Sequence, residues 1–179
     1  LIVRGNVHTK AFVVDRELAT REEDFISPYG LTKTQERLSK LGVFTQVQIE
    51  PSQSRRFSET RDILVNVQER KSKSIAFGFG VASDDGVRGF LELAHQNLFG
   101  MARQVSLRTE LRKDFEQSQL DHREILMYRQ PYLLGMRLNP GLTAVLNQVQ
   151  ENPTFFLRRY SVLGTIEGKL WEKFFALTG

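Results

Sequence analysis

From residue 73 onward the chain alternates apolar with small or polar residues, the two-residue period of a β-strand. The sharpest case is Ser74-Ile75-Ala76-Phe77-Gly78-Phe79-Gly80-Val81. Ile75, Phe77, Phe79 and Val81 share one face, and the other carries only Ser74, Ala76, Gly78 and Gly80. Lys73–Ala82 therefore reads as a strand, followed by a hairpin turn at Ser83-Asp84-Asp85-Gly86. Val87–Gln96, Gln104–Arg112, Glu124–Gln130, Gly141–Gln148 and Arg158–Leu170 continue the pattern. In Gln104–Arg112, Val105, Leu107, Thr109 and Leu111 oppose Gln104, Ser106, Arg108, Glu110 and Arg112, so that second face must meet water or an aqueous lumen. Glu124–Gln130 is less clean, because Ile125 and Met127 share a face with Arg123 and Arg129. Such strands suit either a barrel with lipid outside and water inside, or a soluble sandwich with a core of its own. Alternation alone leaves both open.

The first seventy residues read differently. Leu1–Asn6 is a short strand ending in a Gly-Asn turn. Thr9 is placed to cap a helix over Lys10–Ala19, with Ala11, Val14 and Leu18 on its apolar face. Ser27 and Pro28 start a second helix with Leu31, Leu38 and Leu41 as its stripe, and Gly42 stops it. Strands follow at Thr45–Glu50 and Asp62–Gln68, where Ile63, Val65 and Val67 alternate with Leu64, Asn66 and Gln68. The order is β-α-α-β-β, a small sheet backed by two helices.

Composition removes several classes. The 179 residues are 26% charged and 40% hydrophobic with a formal net charge of +4. There is no dense Lys/Arg stripe, which argues against a nucleic-acid partner. The absence of cysteine rules out disulfides and thiolate metal sites. No apolar run is long enough for a membrane helix, which leaves barrel strands untouched. The chain begins as a strand already under way and reads as part of something longer.

Three runs carry a resemblance: Arg4-Gly5-Asn6…Thr9…Arg16-Glu17-Leu18, Gln35…Leu38…Leu41-Gly42-Val43-Phe44…Val47, and Val67-Gln68-Glu69. Together they closely resemble a POTRA domain, the polypeptide-transport-associated module of bacterial outer-membrane assembly proteins. Gly78-Phe79-Gly80, Asp85-Gly86 and Asn97-Leu98-Phe99-Gly100 resemble the opening strands of the barrel in the BamA/TamA-type outer-membrane assembly factor superfamily. The resemblance implies an α+β POTRA domain over residues 1–70 and the N-terminal part of a transmembrane β-barrel over 71–179. About six antiparallel strands are expected, too few to close a barrel of the family's size. The departure is length, since such proteins carry further POTRA domains upstream and many more strands downstream. Aromatic placement fits two interfacial belts, with Phe99, Tyr132, Trp171, Phe174 and Phe175 at the periplasmic ends and Phe155, Phe156 and Tyr160 at the outer ends.

The expected role is non-enzymatic: capture of unfolded outer-membrane polypeptides and their insertion into the outer membrane, with the POTRA domain in the periplasm. Partners would be those polypeptides, neighbouring POTRA domains or accessory periplasmic and lipoprotein subunits, and the bilayer. The alternatives are a polypeptide-secreting pore of the two-partner type and a soluble POTRA-containing scaffold. In a three-stranded sheet of this kind Thr45, Gln46, Val47, Gln48, Ile49 and Glu50 form an edge on which an extended client can add by β-augmentation. The resemblance implies a lateral seam at Ile75, Phe77, Gly78, Phe79, Gly80 and Val81, where the glycines would weaken the ladder. Asn97, Leu98, Phe99 and Gly100 form the family motif. No catalytic, cofactor or metal residue is expected. His8, His95 and His122 are scattered, Asp121-His122 has no nucleophile to serve, and Gly78-Phe79-Gly80 lacks the third glycine and helix of a dinucleotide site. The Asp84-Asp85-Gly86 run lacks calcium-loop spacing, and Glu22-Glu23-Asp24 reads as a solvated loop.

Overall fold

A computed structural model describes residues 2–19, 27–51, 62–82, 86–114, 120–133, 135–152, 155–170 and 173–178. The turn at Asp84-Asp85 and the acidic run Glu22-Glu23-Asp24 lie outside the described residues. The chain forms two compact units, residues 1–72 with 96–102, and residues 73–95 with 103–179. The short segment Gln96–Ala102 packs with the residues of the first unit.

In the first unit, β1 (Ile2–Arg4), α1 (Ala11–Asp15), α2 (Pro28–Lys40), β2 (Phe44–Pro51) and β3 (Ile63–Glu69) follow the expected order. Strand β3 is central, parallel to β1 and antiparallel to β2. Helix α2 starts as its sequence predicts: the Gly30 N–H donates to Ser27 Oγ at 3.0 Å and Pro28 occupies the first turn. It stops at Gly42, whose φ of +73° is the left-handed conformation glycine adopts cheaply.

Helix α1 departs from expectation. It is five residues long, its N-cap is Lys10, and no side chain caps it. Thr9 is engaged elsewhere, as described below. Of the expected face Ala11, Val14 and Leu18, only Val14 is buried, together with Val13; Ala11 is exposed and Leu18 partly covered. The core joins Val13, Val14, Leu38, Leu41, Val43, Phe44, Val47, Val65, Val67 and Ala102, with Val3, Ile49 and Ile63 packed against it.

The second unit is built on an antiparallel meander of β4 (Lys73–Ala82), β5 (Gly86–Leu98), β6 (Arg103–Lys113), β7 (Leu120–Arg129), β8 (Leu138–Asn152), β9 (Phe155–Leu170) and β10 (Lys173–Thr178). All six expected strands are present, and β10 is added beyond them. Register keeps the two faces distinct, with Phe77 opposite Leu91, Leu107 opposite Leu126, and Ala144 opposite both Leu126 and Val162. Ile75, Phe77, Phe79 and Val81 are 71%, 78%, 88% and 67% exposed. Leu107 is exposed and Val105 half-buried. Every buried apolar side chain of the described residues belongs to the first unit. Among the described residues the large sheet buries no apolar side chain, so its alternation there does not come from the core of a packed sandwich.

Candidate functional site

Strand β2 is an edge: among the described residues only β3 pairs with it. The direction of its backbone groups follows from a neighbour. A Cβ built on Gly5, just beyond β1, would lie 1.9 Å from the Val67 carbonyl oxygen, so that carbonyl points toward β1. Within a strand, N–H and C=O of one residue point the same way, and the direction alternates along the chain. Val67 is therefore in a non-hydrogen-bonded pair with Val47, its partner across the β2–β3 ladder. Val47 and Ile49 must direct N–H and C=O away from the sheet, while Gln48 faces β3. Thr45 sits at a register irregularity, and its hydroxyl donates to the Gln68 carbonyl at 3.1 Å. The side chains of Thr45, Gln46, Gln48 and Glu50 are exposed, Val47 is buried and Ile49 half-buried. The outward carbonyl of Val47 accepts a hydrogen bond from Gln35 Nε2 of α2 at 2.9 Å.

Strand β4 is one edge of the large sheet, so Ile75, Phe77, Gly78, Phe79, Gly80 and Val81 lie together along it as expected. The two glycines differ. Gly78 stands opposite Phe90, and a Cβ there would come 2.6 Å from the ring. The ring thus lies over Gly78 and covers the space a side chain would fill. Arg108 places its guanidinium 4.2 Å from the centre of the same ring and reaches Glu110 at 2.7 Å and Glu92 at 3.3 Å. Gly80 is looser, its nearest neighbour being the flexible Arg88 side chain at 3.7 Å. Gly78, Gly80, Phe90, Arg108, Glu110 and Asp121 help line a groove of about 730 Å³ on the polar face. At Gly78 the glycine secures β4 to β5 through an aromatic neighbour, which corrects the idea that it only weakens the ladder.

The motif Asn97-Leu98-Phe99-Gly100 closes a polar cluster inside the first unit. Asn97 Nδ2 donates to Thr9 Oγ1 at 2.9 Å, and Asn97 Oδ1 accepts from the Ala102 N–H at 2.9 Å. The Thr9 and His8 N–H groups donate to the Glu69 carboxylate at 2.6 Å and 3.0–3.1 Å. The Lys10 N–H donates to the Gly100 carbonyl at 3.0 Å. Burial raises the Glu69 carboxyl, but hydrogen bonds from the Thr9 side chain and N–H and from His8 outweigh it and hold the group below its usual 4.5. Gly100 has φ +70°, and a Cβ there would meet the His8 carbonyl at 2.3 Å. Phe99 is exposed with φ +58°, a conformation uncommon outside glycine. Glu69 was quoted above only as part of a motif; its role depends on a long-range contact that spacing does not reveal.

Among the described residues no group of three or more His, Asp or Glu side chains could hold a metal ion. Asp121 and His122 lie in β7, not in a loop, and separate to opposite faces, where Asp121 pairs with Arg112 at 2.8 Å and His122 with Glu124 at 3.3 Å. Of the aromatic belts, Tyr160 is 70% exposed. Trp171 and the side chains of Phe155, Phe156, Phe174 and Phe175 lie outside the described residues.

The fold is a small helix-backed sheet followed along the chain by an antiparallel meander whose described residues bury no apolar side chain, the strand arrangement of a partial barrel. Residues 1–70 match the POTRA family model, described as a surface antigen variable number repeat. Two curated relatives are each called outer membrane protein assembly factor BamA. That of Neorickettsia risticii (strain Illinois) is 31% identical over 98 residues, 55% of this chain and 13% of the relative. That of Neisseria meningitidis serogroup B is 30% identical over 114 residues, 62% of this chain and 14% of the relative. The chain thus spans about one seventh of the length of these relatives. Among solved structures, BamA from Haemophilus ducreyi lacking POTRA domains 1–3 superposes with a TM-score of 0.73 at 20% identity, covering 92% of this chain and 31% of that one. CdiB from Acinetobacter baumannii gives 0.65 at 15% identity, covering 93% and 32%. Residues 1–70 thus match the POTRA family, and the chain is similar in sequence to the two BamA relatives and in fold to the BamA and CdiB structures. Its sheet belongs to the bacterial outer membrane and its POTRA domain to the periplasm.

Proposed function

We propose that this chain is the POTRA domain, residues 1–70, and first barrel strands, from residue 71, of an outer-membrane protein assembly factor. In this reading unfolded outer-membrane polypeptides pair with the edge of β2, and client strands enter the membrane beside β4. The observation that carries it is the sheet itself, with an exposed apolar row on one face, a charged groove on the other and, among its described residues, no buried apolar side chain. Lipid outside and water inside satisfy both faces at once. In hydrocarbon the unpaired backbone of β4 demands a partner strand, which gives client pairing its driving force. Main-chain pairing needs little side-chain specificity and suits a receptor for many sequences. The role is non-enzymatic, and accessory periplasmic subunits are partners of the same complex.

The secretion-pore alternative draws on the likeness to CdiB, which at 15% identity speaks to fold alone. Identity above that level favours assembly, since both curated relatives are assembly factors. The test places a photo-crosslinking residue at Gln48 or at Phe77 in the full-length protein reconstituted in vesicles. During insertion of an unfolded outer-membrane protein, both positions should cross-link to it. Normal insertion without either cross-link would refute the reading.

A further inference from the structure

We propose that Gln35 gates the β2 edge: its carboxamide occupies the place of a peptide group from an absent fourth strand, and an extended polypeptide must displace it to pair along Val47–Ile49. The inference rests on the β-augmentation reading and adds a regulator to that site.

Three observations meet here. The Gly5–Val67 approach fixes which way the ladder faces and turns the N–H and C=O of Val47 and Ile49 outward. Gln35 Nε2 donates to that outward Val47 carbonyl at 2.9 Å, where the N–H of an incoming strand would donate. Gln35 itself lies on the exposed side of α2, a helix packed on β2, so its side chain can swing into water without opening the core. A primary carboxamide is chemically the group a backbone presents. The edge therefore shows its ligand class in the substitute it holds: an amide donor with no side-chain requirement.

The arrangement has two consequences. An incoming strand pairs first at Ile49, where none of the described side chains stands in, and gains the Val47 bond only by exchange for Gln35. Affinity is lowered by about the worth of that exchanged bond. With the donor in place, the strand edge is also a poorer template for accidental pairing, including with a second copy of the chain.

The experiment uses the full-length protein in lipid nanodiscs and a short fluorophore-labelled peptide that alternates apolar and charged residues, read by fluorescence polarisation. Gln35→Ala and Gln35→Glu both remove the donor, and each should tighten binding roughly two- to tenfold, as expected for one neutral hydrogen bond. Ile49→Pro removes an outward N–H without touching the β2–β3 ladder and should abolish binding. If Ile49→Pro abolishes binding while both Gln35 variants match or fall below wild type, the gate is overturned and β-augmentation stands. If a folded Ile49→Pro protein binds normally, or if neither wild type nor Gln35→Ala binds, the underlying reading falls and the gate with it. Should Ile49→Pro misfold, hydrogen exchange at the Ile49 amide of wild type and of Gln35→Ala decides. Peptide must slow it, and must do so at lower concentration in Gln35→Ala; no slowing in either overturns both.

Discussion

Alanine at Gly78 and at Gly80 should have opposite effects on the stability of the membrane sheet, although the two glycines sit two residues apart on one face. At Gly78 a new methyl would lie 2.6, 3.1 and 3.4 Å from Cε1, Cζ and Cδ1 of Phe90. The ring must move, and it is held by a guanidinium 4.2 Å from its centre whose nitrogens are engaged by Glu110 and Glu92. Overpacking of this kind costs about 1–3 kcal/mol, of which a lost cation–π contact makes up roughly 0.5–2 kcal/mol. The lower backbone entropy of alanine returns only about 0.5–1 kcal/mol. The net expectation for Gly78→Ala is a loss on the order of 1–2 kcal/mol. At Gly80 the nearest atoms are Arg88 Nε and Cγ at 3.7 and 3.8 Å, ordinary contacts with a flexible side chain. Gly80→Ala should therefore be neutral or stabilising by up to about 1 kcal/mol. Urea unfolding of the full-length protein from lipid vesicles measures both. A Phe90→Ala background supplies the control, because removing the ring should erase most of the Gly78→Ala penalty. Equal penalties at the two glycines, or no coupling between Gly78 and Phe90, would refute the account of the ring as a side-chain substitute.

Asn97→Ala removes the acceptor for the buried Ala102 N–H and the donor to Thr9, and should cost about 1–3 kcal/mol, read as faster hydrogen exchange at Ala102 and a lower melting temperature. Glu69, with a side chain 12% exposed, has its folded pKa below the usual 4.5, so its stabilising contribution is complete above that value and is lost as pH falls through the lowered one. Glu69→Gln should weaken the protein at neutral pH and flatten its acid-unfolding limb, whereas a limb with unchanged slope would count against the carboxylate's role. Leu107→Lys should destabilise folding into vesicles by roughly 2–4 kcal/mol if its row lies in hydrocarbon, while Ser106→Lys on the groove face should cost little. Equal costs would show that the apolar row does not face lipid.

The elements were legible where chemistry is local. Ser27-Pro28 and Gly42 bound α2 because capping and left-handed φ act within a turn. The strands from Lys73 to Leu170 emerged because alternation is written into consecutive residues. Strand β10 was missed because Phe174-Phe175-Ala176-Leu177 does not alternate. Thr9 misled for a related reason. A threonine before a helix usually serves that helix, but here its hydroxyl meets Asn97, 88 residues away, and only the fold brings them together. The fit of Phe90 over Gly78 depends on the β4–β5 register, which a pattern of residue types does not specify. Gln35 was visible as part of a motif, yet its target became clear only once the direction of the Val47 carbonyl was fixed.

The proposed entry of client strands beside β4 draws on an asymmetry between its two sides. Toward β5 it is continuously paired from Lys73–His95 to Ala82–Gly86, with Phe90 and Arg108 braced across Gly78. Toward its outer side the described residues supply no strand, and on the groove face only Ser74, Ala76, Gly78, Gly80 and Ala82 are there to contribute cross-strand side-chain contacts. Cross-strand side-chain pairs contribute a large part of sheet stability, so any strand seated on that outer side is held chiefly by backbone hydrogen bonds and by the lipid-facing row. Backbone bonds are the same for every sequence, which makes one occupant exchangeable for another at little net cost. The exposed row Ile75, Phe77, Phe79 and Val81 would in the proposed reading hold the edge in hydrocarbon, where leaving it unpaired is expensive. Under the proposed function a seam of this design would open on one side only: exchange would take place outside β4, and the β4–β5 hairpin would remain whole.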